Sequence, residues 1–290
     1  MADTTGEADL RKEYIDGAIK AIALMEYKLK TLCTVDSSNA WTETYYRETN
    51  TDLEGGTTAA VKGIPRLANF PYGEVSWTKV SSLNEKYGME GVISYEDARL
   101  NNIPMIQRTL LRLGRAVALS VDNTISASML ANAGNSVVIG AGDEWDSATV
   151  ANRDPILNIL QAIQLLRADN INALNGQGYL CLNGTDYTNL LANSKLTNNP
   201  SFKTADVVSS GVVGQIAGLK IMVTEALEVT VPDVAYVVVA KEAMTWKQAT
   251  PLTVLQLDDP GIKTTIRAFE LGQVQVTSPN AICKITNTRK

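Results

Sequence analysis

Side chains able to carry out chemistry are sparse in this sequence, and histidine is absent altogether. Without histidine the chain has no Ser-His-Asp triad, no Cys-His pair and none of the usual zinc or haem ligands. The three cysteines, Cys33, Cys181 and Cys283, are far apart and form no Cys-x-x-Cys pair, so they encode neither a disulfide framework nor a zinc site. Cys181 lies in an apolar run without an evident base, which favours buried structural thiols over a nucleophile.

Adjacent carboxylates are the next candidates for catalysis, because paired acids can share general acid and base roles. Glu96-Asp97 follows Ser94 in the manner of a helix cap, and Asp258-Asp259 precedes Pro260-Gly261 in the manner of a turn. The sequence contains no phosphate-binding loop, no dinucleotide fingerprint and no metalloprotease or nucleophile-elbow motif. We therefore predict no catalytic, cofactor or metal site, with an α/β enzyme kept as an alternative that would show turnover.

Charge limits the partners. The 290 residues carry a formal charge of -5, so the surface as a whole does not favour gripping nucleic acid through its phosphates. One basic stripe stands out, because Arg108, Arg112 and Arg115 recur at helical spacing. This stripe is either a solvated face or a contact with a neighbouring subunit's carboxylates or an enclosed polyanion. The start lacks the pattern of a secretory signal, and we expect no membrane contact.

Two segments expose apolar side chains that nothing nearby in sequence covers. Apolar residues recur every three or four positions from Glu7 to Leu32, which predicts one long amphipathic helix whose stripe needs a distant partner or another subunit. The segment from Trp41 to Gly91 is rich in glycine and threonine, with strand-like runs at Thr42–Thr49 and Glu74–Val80.

This second segment has too few aliphatic residues to bury itself as a hairpin, yet eight of the 17 aromatic residues lie between Trp41 and Tyr95. Aromatic side chains on such an arm indicate an interface, with a meander packed on its own domain as the alternative. The predicted inter-subunit contacts are Tyr45, Tyr46, Phe70, Tyr72, Trp77 and Tyr87.

The rest of the chain alternates helices and apolar strands. A solitary long helix is predicted from Pro104 to about Ala131, and an α/β block follows, with a helix capped by Asp154. The closing strands are predicted at Thr264–Phe269, Gln273–Thr277 and Ala281–Ile285.

This order of parts resembles the Hong Kong 97-type fold of major capsid proteins from tailed phages and related viruses. The local matches are Tyr95-Glu96-Asp97-Ala98 with Asp122 further along the helix, the strand and helix from Gly178 to Leu191, the run Gly214–Val223 and the run Val276–Ile282. The resemblance implies an α+β chain with an N-terminal arm helix (1–40), an extended β-hairpin E-loop (41–93), a P-domain with a spine helix (94–136), an α/β A-domain (137–250) and closing P-domain strands (251–290).

The resemblance also implies a function. It predicts a major capsid protein whose hexamers and pentamers form an icosahedral shell around double-stranded DNA, assembled in the host cytoplasm. Partners would be further copies of the chain, a portal and decoration proteins, with a separate scaffolding protein or none, because only about forty residues precede the arm. An encapsulin-type shell enclosing a cargo enzyme is the alternative within the same fold; a tail-tube protein fits the central α/β block poorly.

Overall fold

The computed structural model describes residues 12–48, 64–69, 77–99, 103–193, 214–227 and 233–290. The chain divides into two compact units. Unit 1 comprises Met1–Glu43, Ser82–Ala127 and Trp246–Gln275, and unit 2 comprises Thr44–Ser81, Ser128–Thr245 and Val276–Lys290. The predicted α+β class is confirmed: the described helices are α1 Lys12–Glu26, α2 Leu29–Leu32, α3 Tyr95–Arg99, α4 Ile103–Asn132, α5 Pro155–Ala168 and α6 Gly184–Leu191.

The described strands form three sheets. A four-stranded sheet has the order β1-β10-β11-β4, a six-stranded sheet has the order β5-β12-β9-β6-β8-β7, and β2 pairs with β3. The strand bounds are β1 Thr34–Ser37, β2 Thr42–Glu48, β3 Trp77–Leu83, β4 Glu85–Ser94, β5 Asn135–Val138, β6 Gly178–Leu182, β7 Gln215–Ile216, β8 Leu219–Val223, β9 Val234–Val239, β10 Met244–Asp259, β11 Lys263–Val276 and β12 Ile282–Thr286.

The N-terminal helix is broken, which corrects the prediction of one continuous helix to Leu32. The Asp122 carboxylate of α4 accepts the backbone N–H groups of Lys28 at 2.7 Å, Leu29 at 3.2 Å and Lys30 at 3.0 Å. These are the N–H groups that a helix N-terminus leaves unpaired, so Asp122 caps α2, and α1 ends at Glu26, three residues before α2 begins. Periodicity alone does not show such a break, because the apolar spacing continues across it.

The apolar stripe of α1 finds its distant partner in α4. Ile19 and Ala23 are fully buried, and a Cβ placed on Gly114 would lie 3.0 Å from Ile22 Cγ2 and 3.3 Å from the Ile19 carbonyl oxygen. Glycine therefore lets the two helices approach closely. On the solvent side of this crossing, Arg115 Nε donates to Glu26 Oε1 at 2.7 Å.

The sheet of unit 1 is built from long strands. β4 and β11 pair antiparallel from Lys263 opposite Ser94 to Gly272 opposite Glu85. β11 is one strand of 14 residues where two were predicted, and the 16-residue β10 contains Pro251, which the sequence marked as a boundary. Since β1 has only four residues, much of β10 has a single neighbour among the described strands, and such a position tolerates a proline.

The sheet of unit 2 depends on the end of the chain. β12 lies between β5, its parallel neighbour, and β9, its antiparallel neighbour. The predicted helix cap is confirmed, because the Asp154 side chain accepts the Leu157 N–H and Pro155 occupies the first turn of α5. Near β6, a Cβ on Gly178 would fall 2.0 Å from the Ala173 carbonyl oxygen, so this crossing requires glycine.

Candidate functional site

The β2–β3 arm has two unlike faces. Successive residues of a strand point to opposite sides, and the hydroxyls of Thr44 and Ser81 lie 3.3 Å apart across the pair, so these two residues share one face. Tyr46 and Trp77 lie on that same face and are 59% and 55% exposed, with Lys79 exposed between Trp77 and Ser81. An aromatic, basic surface on a two-stranded ribbon is thus left open to solvent.

The opposite face of the arm is held by Arg47. Its Nε donates to the Val276 carbonyl oxygen at 3.3 Å, and its Nη2 donates to the Tyr45 hydroxyl at 3.0 Å. The guanidinium also lies 5.9 Å from the centre of the Tyr45 ring. Tyr45, a predicted inter-subunit contact, is therefore partly used within the subunit.

The predicted arm contacts separate into three groups. Tyr46 and Trp77 are exposed, as an interface role requires, whereas Phe70 and Tyr72 lie outside the described residues. Tyr87 is a correction: it belongs to β4, is 7% exposed, and its ring centre lies 5.9 Å from that of Trp246. Pairing of β4 with β11 places this side chain in the core of unit 1, where it packs against its own subunit. Burial, followed by the nearby carboxylate of Glu85, raises its pKa to about 12.

The predicted basic stripe lies on the exposed side of α4. Arg108, Arg112 and Arg115 are all exposed. Arg115 pairs with Glu26 of α1, and 58% of its side chain remains accessible. One of the three charges is therefore already partly neutralised within the subunit.

A buried carboxylate binds side chains from the C-terminal end of the N-terminal helical segment. Glu270 of β11 is fully buried and accepts hydrogen bonds from Tyr27 Oη at 2.6 Å, Trp246 Nε1 at 3.0 Å and Gln248 Nε2 at 3.1 Å. Its remaining partner is the Lys30 ammonium, which also lies 4.4 Å from the centre of the Tyr27 ring. Donors from the N-terminal segment and from β10 thus meet on one anion, which satisfies a charge that would otherwise be costly to bury.

Glu270 and its four donors, Tyr27, Lys30, Trp246 and Gln248, form what we call the Glu270 anchor. Burial changes the pKa values of the groups in and beside this anchor. Desolvation, then the Glu270 carboxylate, raise the pKa of Tyr27 well above its ordinary value, so the phenol stays a donor. Desolvation also raises the pKa of Asp122, against the three backbone N–H groups that lower it. The family resemblance singled out Asp122 from the sequence, but it did not single out Glu270. The sequence signal that could have found Glu270 is a charged residue between Phe269 and Leu271 in a strand.

The described residues offer little to chemistry. All three cysteines are buried thiols, as predicted, and desolvation raises the pKa of Cys283 to about 12. In the part of the chain that the structure describes, no cluster of three or more acidic or thiol side chains is placed to hold a metal ion. No described helix is both long and apolar enough to cross a membrane.

Solved structures of a virus-like particle and of phages are similar to this chain. A virus-like particle from Pyrococcus furiosus matches with a TM-score of 0.63 at 13% identity, over 94% of this chain and 98% of the other. The capsid of Cyanophage P-SCSP1u matches with a TM-score of 0.66 at 14% identity, over 90% and 88%. A structure from Mycobacterium phage Che8 matches with a TM-score of 0.61 at 18% identity, over 100% and 93%. The chain therefore has the Hong Kong 97-type capsid fold.

Sequence comparison then assigns the family. The family model for phage capsid proteins matches residues 84–285, and the chain belongs to that family. No curated protein matches the sequence. The class is thus a structural shell protein, which is consistent with the sparse chemistry of the described residues.

Proposed function

We propose that this chain is the major capsid protein of a virus, assembling as hexamers and pentamers into an icosahedral shell around double-stranded DNA. The observation that carries the proposal is the solvent-exposed aromatic face of the β2–β3 arm on a chain of the phage capsid family. A two-stranded ribbon is marginal in water by itself, so docking of this face on another copy stabilises both arm and shell. Under this proposal the five predicted segments keep their N-arm, E-loop, P-domain and A-domain roles, except that β4, at the end of the predicted E-loop, belongs to the sheet of unit 1.

The charge of the protein supports a genome container. A net charge of -5 keeps an inner wall from binding packed phosphates tightly, which would hinder filling and release. The exposed Arg108 and Arg112 then adjust the local attraction for DNA. Virion location, assembly in the host cytoplasm, and partnership with a portal and decoration proteins, with or without a scaffolding protein, belong to the same proposal.

The test is assembly of variants of the arm. Removing both rings with Tyr46→Ser/Trp77→Ser deletes about 3 kcal/mol of apolar burial per contact, more than a hundredfold in pairwise association. Electron microscopy and light scattering are expected to show megadalton shells for the unchanged chain and folded, unassembled subunits for the variant.

A matched control keeps the rings. Tyr46→Phe/Trp77→Phe retains aromatic surface and is expected to assemble. Shells that form normally from the double serine variant would contradict the role of the arm face. A chain that stays monomeric at high concentration, even after addition of a lysate of infected host cells that contains any scaffolding protein, would contradict the proposed function itself.

An encapsulin-type container is the second candidate, because a virus-like particle is among the structures similar to this chain. The two functions differ in contents. Particles purified from the natural source and treated with nuclease would retain long protected DNA if the shell is a capsid, whereas a co-purifying enzyme without DNA would identify a cargo compartment.

A further inference from the structure

The outer edge of β4 is a regular strand edge without a partner among the described strands. β4 is the last strand in the order β1-β10-β11-β4, and its register with β11 is unbroken from Glu85 to Ser94. These ten residues contain neither a proline nor a bulge. Proteins usually protect a sheet edge by such a device or by a covering segment, because its N–H and C=O groups can pair with another strand. The β4 edge is therefore a candidate for strand addition.

The hydrogen-bond pattern shows which residues of β4 face this edge. The Tyr95 N–H donates to the Ile262 carbonyl oxygen at 3.0 Å, one position beyond the pair of Ser94 with Lys263. Hydrogen-bonded and non-hydrogen-bonded pairs alternate along an antiparallel ladder, so the odd-numbered residues of β4 are the ones bonded to β11. The even-numbered residues direct their backbone N–H and C=O groups outward. Four of them are exposed: Lys86, Gly88, Glu90 and Val92.

One face of this edge carries two opposite charges. Lys86 Nζ lies 4.6 Å from the centre of the Phe269 ring, and the Glu90 carboxylate pairs with the Arg267 guanidinium. Gly88 lies between them, and an open groove of about 350 Å³ is lined by these residues. A Cβ at Gly88 would fall 2.7 Å from Phe269 Cβ, so the pairing of β4 with β11 requires the glycine. The edge thus presents a cation and an anion four residues apart, with no side chain between them on that face.

We infer that the β4 edges of two copies pair antiparallel across a two-fold axis at Gly88. With each Gly88 opposite the other, Lys86 of either strand lies opposite Glu90 of its partner strand. Each of these pairs has its backbone groups directed at the other strand and exchanges two hydrogen bonds. Opposite charges directly across a strand pair stabilise it, and a two-fold contact uses the same surface on both copies.

The charges select this register from those that the outward backbone groups allow. Even-numbered residues must lie opposite even-numbered ones, so each allowed shift moves the axis by one residue. An axis at Lys86 or at Glu90 places two like charges directly opposite. An axis at Tyr87 or at Met89 leaves both charges opposite uncharged residues. Among axes at residues 86–90, the one at Gly88 places each charge opposite its counterpart.

The other face of the edge supplies apolar surface for the same register. Met89 is 54% exposed, although its neighbour on that face, Tyr87, is buried. An axis at Gly88 places Met89 opposite Tyr87 of the second copy, and a thioether packs favourably against the edge of an aromatic ring. Both faces of the strand therefore favour a second copy of this chain as the partner. A ladder of so few residues is weak by itself, so the inference rests on the proposed shell function, which repeats the contact in many copies.

Hydrogen exchange of the unchanged chain tests the pairing. In assembled particles, the backbone amides of Gly88 and Glu90 are expected to exchange about tenfold more slowly than in dissociated subunits, whereas the amide of Met89, already bonded to β11, changes little. Equal rates for Gly88 and Glu90 in particles and subunits would overturn the inference. Protection that appears only when proteins from infected cells are present would also overturn it, because another chain would then occupy the edge.

Single cysteines test the register. Lys86→Cys and Glu90→Cys chains, mixed before assembly and then oxidised, are expected to form covalent dimers with one chain of each kind, because directly opposite residues have Cα atoms about 5.5 Å apart. Particles of either variant alone are the matched control and should form no dimers, since their thiols lie four residues apart along the ladder, about 13 Å. The native cysteines are buried. Mixed particles without the dimer would refute the pairing and leave the capsid function intact; absence of particles from the unchanged chain would refute the function and the pairing with it.

Discussion

Replacing Glu270 with leucine is the most direct test of the buried anchor. The change removes the acceptor of Tyr27, Trp246 and Gln248 and leaves the Lys30 ammonium, whose side chain is 12% exposed, without its anion. Breaking a buried ion pair by removing one partner costs about 3–5 kcal/mol. For a unit of this size we expect the midpoint of thermal unfolding to fall by about 6–20 °C.

The assay is calorimetry of the purified full-length subunit, combined with hydrogen exchange of the backbone amides of Lys28, Leu29 and Lys30. These amides are bonded to Asp122 beside the anchor, and we expect Glu270→Leu to speed their exchange. Lys30→Met/Glu270→Leu removes the stranded charge together with its partner, and is expected to recover about half of the lost stability because the neutral donors still lack an acceptor.

The control is an ion pair on the surface. Glu26→Gln breaks the pair with Arg115, whose side chains are 36% and 58% exposed, and is expected to cost at most about 0.5 kcal/mol. If Glu270→Leu were as stable as the Glu26→Gln control, and its amides exchanged at the same rate as in the unchanged chain, the anchor would have no energetic role.

Three further predictions concern thiols, a glycine and a helix cap. None of the three cysteines should react with a thiol reagent in the native subunit at pH 8, and rapid labelling of the native subunit would contradict their burial. Burial raises the pKa of Cys283 to about 12. The stability that this thiol contributes is therefore complete below its ordinary pKa near 9 and is lost as the pH rises from 9 toward 12. Gly178→Ala places a methyl group against the Ala173 carbonyl and should lower unit 2 stability by about 3 kcal/mol or more, measured by urea unfolding. Gly214→Ala, whose added methyl group meets no atom within 4 Å, is the tolerated control. Ser94→Ala removes the hydroxyl that accepts the Asp97 N–H at 3.1 Å and should cost about 1 kcal/mol in the same assay, whereas Ser94→Thr should cost less; equal losses would argue against capping.

Elements with a strong local pattern could be predicted closely. The long helix expected from Pro104 to Ala131 is Ile103–Asn132, and the closing strand expected at Ala281–Ile285 is Ile282–Thr286. In both cases hydrophobic periodicity or an apolar run reports which face is buried, whatever the partner. The Ser94–Asp97 cap is equally local, because its donor and acceptor are three residues apart.

Predictions failed where the deciding partner lies far along the chain. Asp122 breaks the N-terminal helix from about ninety residues away. Pairing of β4 with β11 places Tyr87, which was predicted to lie on the arm, in the core of unit 1. The Glu270 anchor combines side chains separated by up to 243 residues, and no spacing rule connects them.

The sequence by itself indicated the class of this protein, because the order of its N-terminal helix, aromatic-rich arm, long helix and α/β block resembles the Hong Kong 97-type capsid fold. Only the tertiary structure decided which aromatic and apolar side chains are buried within the subunit and which remain exposed for contact with other copies. The physical reason is that periodicity records that a side chain needs burial, whereas the identity of the burying partner depends on long-range contacts. For Tyr87 that partner is the subunit's own Trp246, whereas Tyr46 and Trp77 remain 59% and 55% exposed.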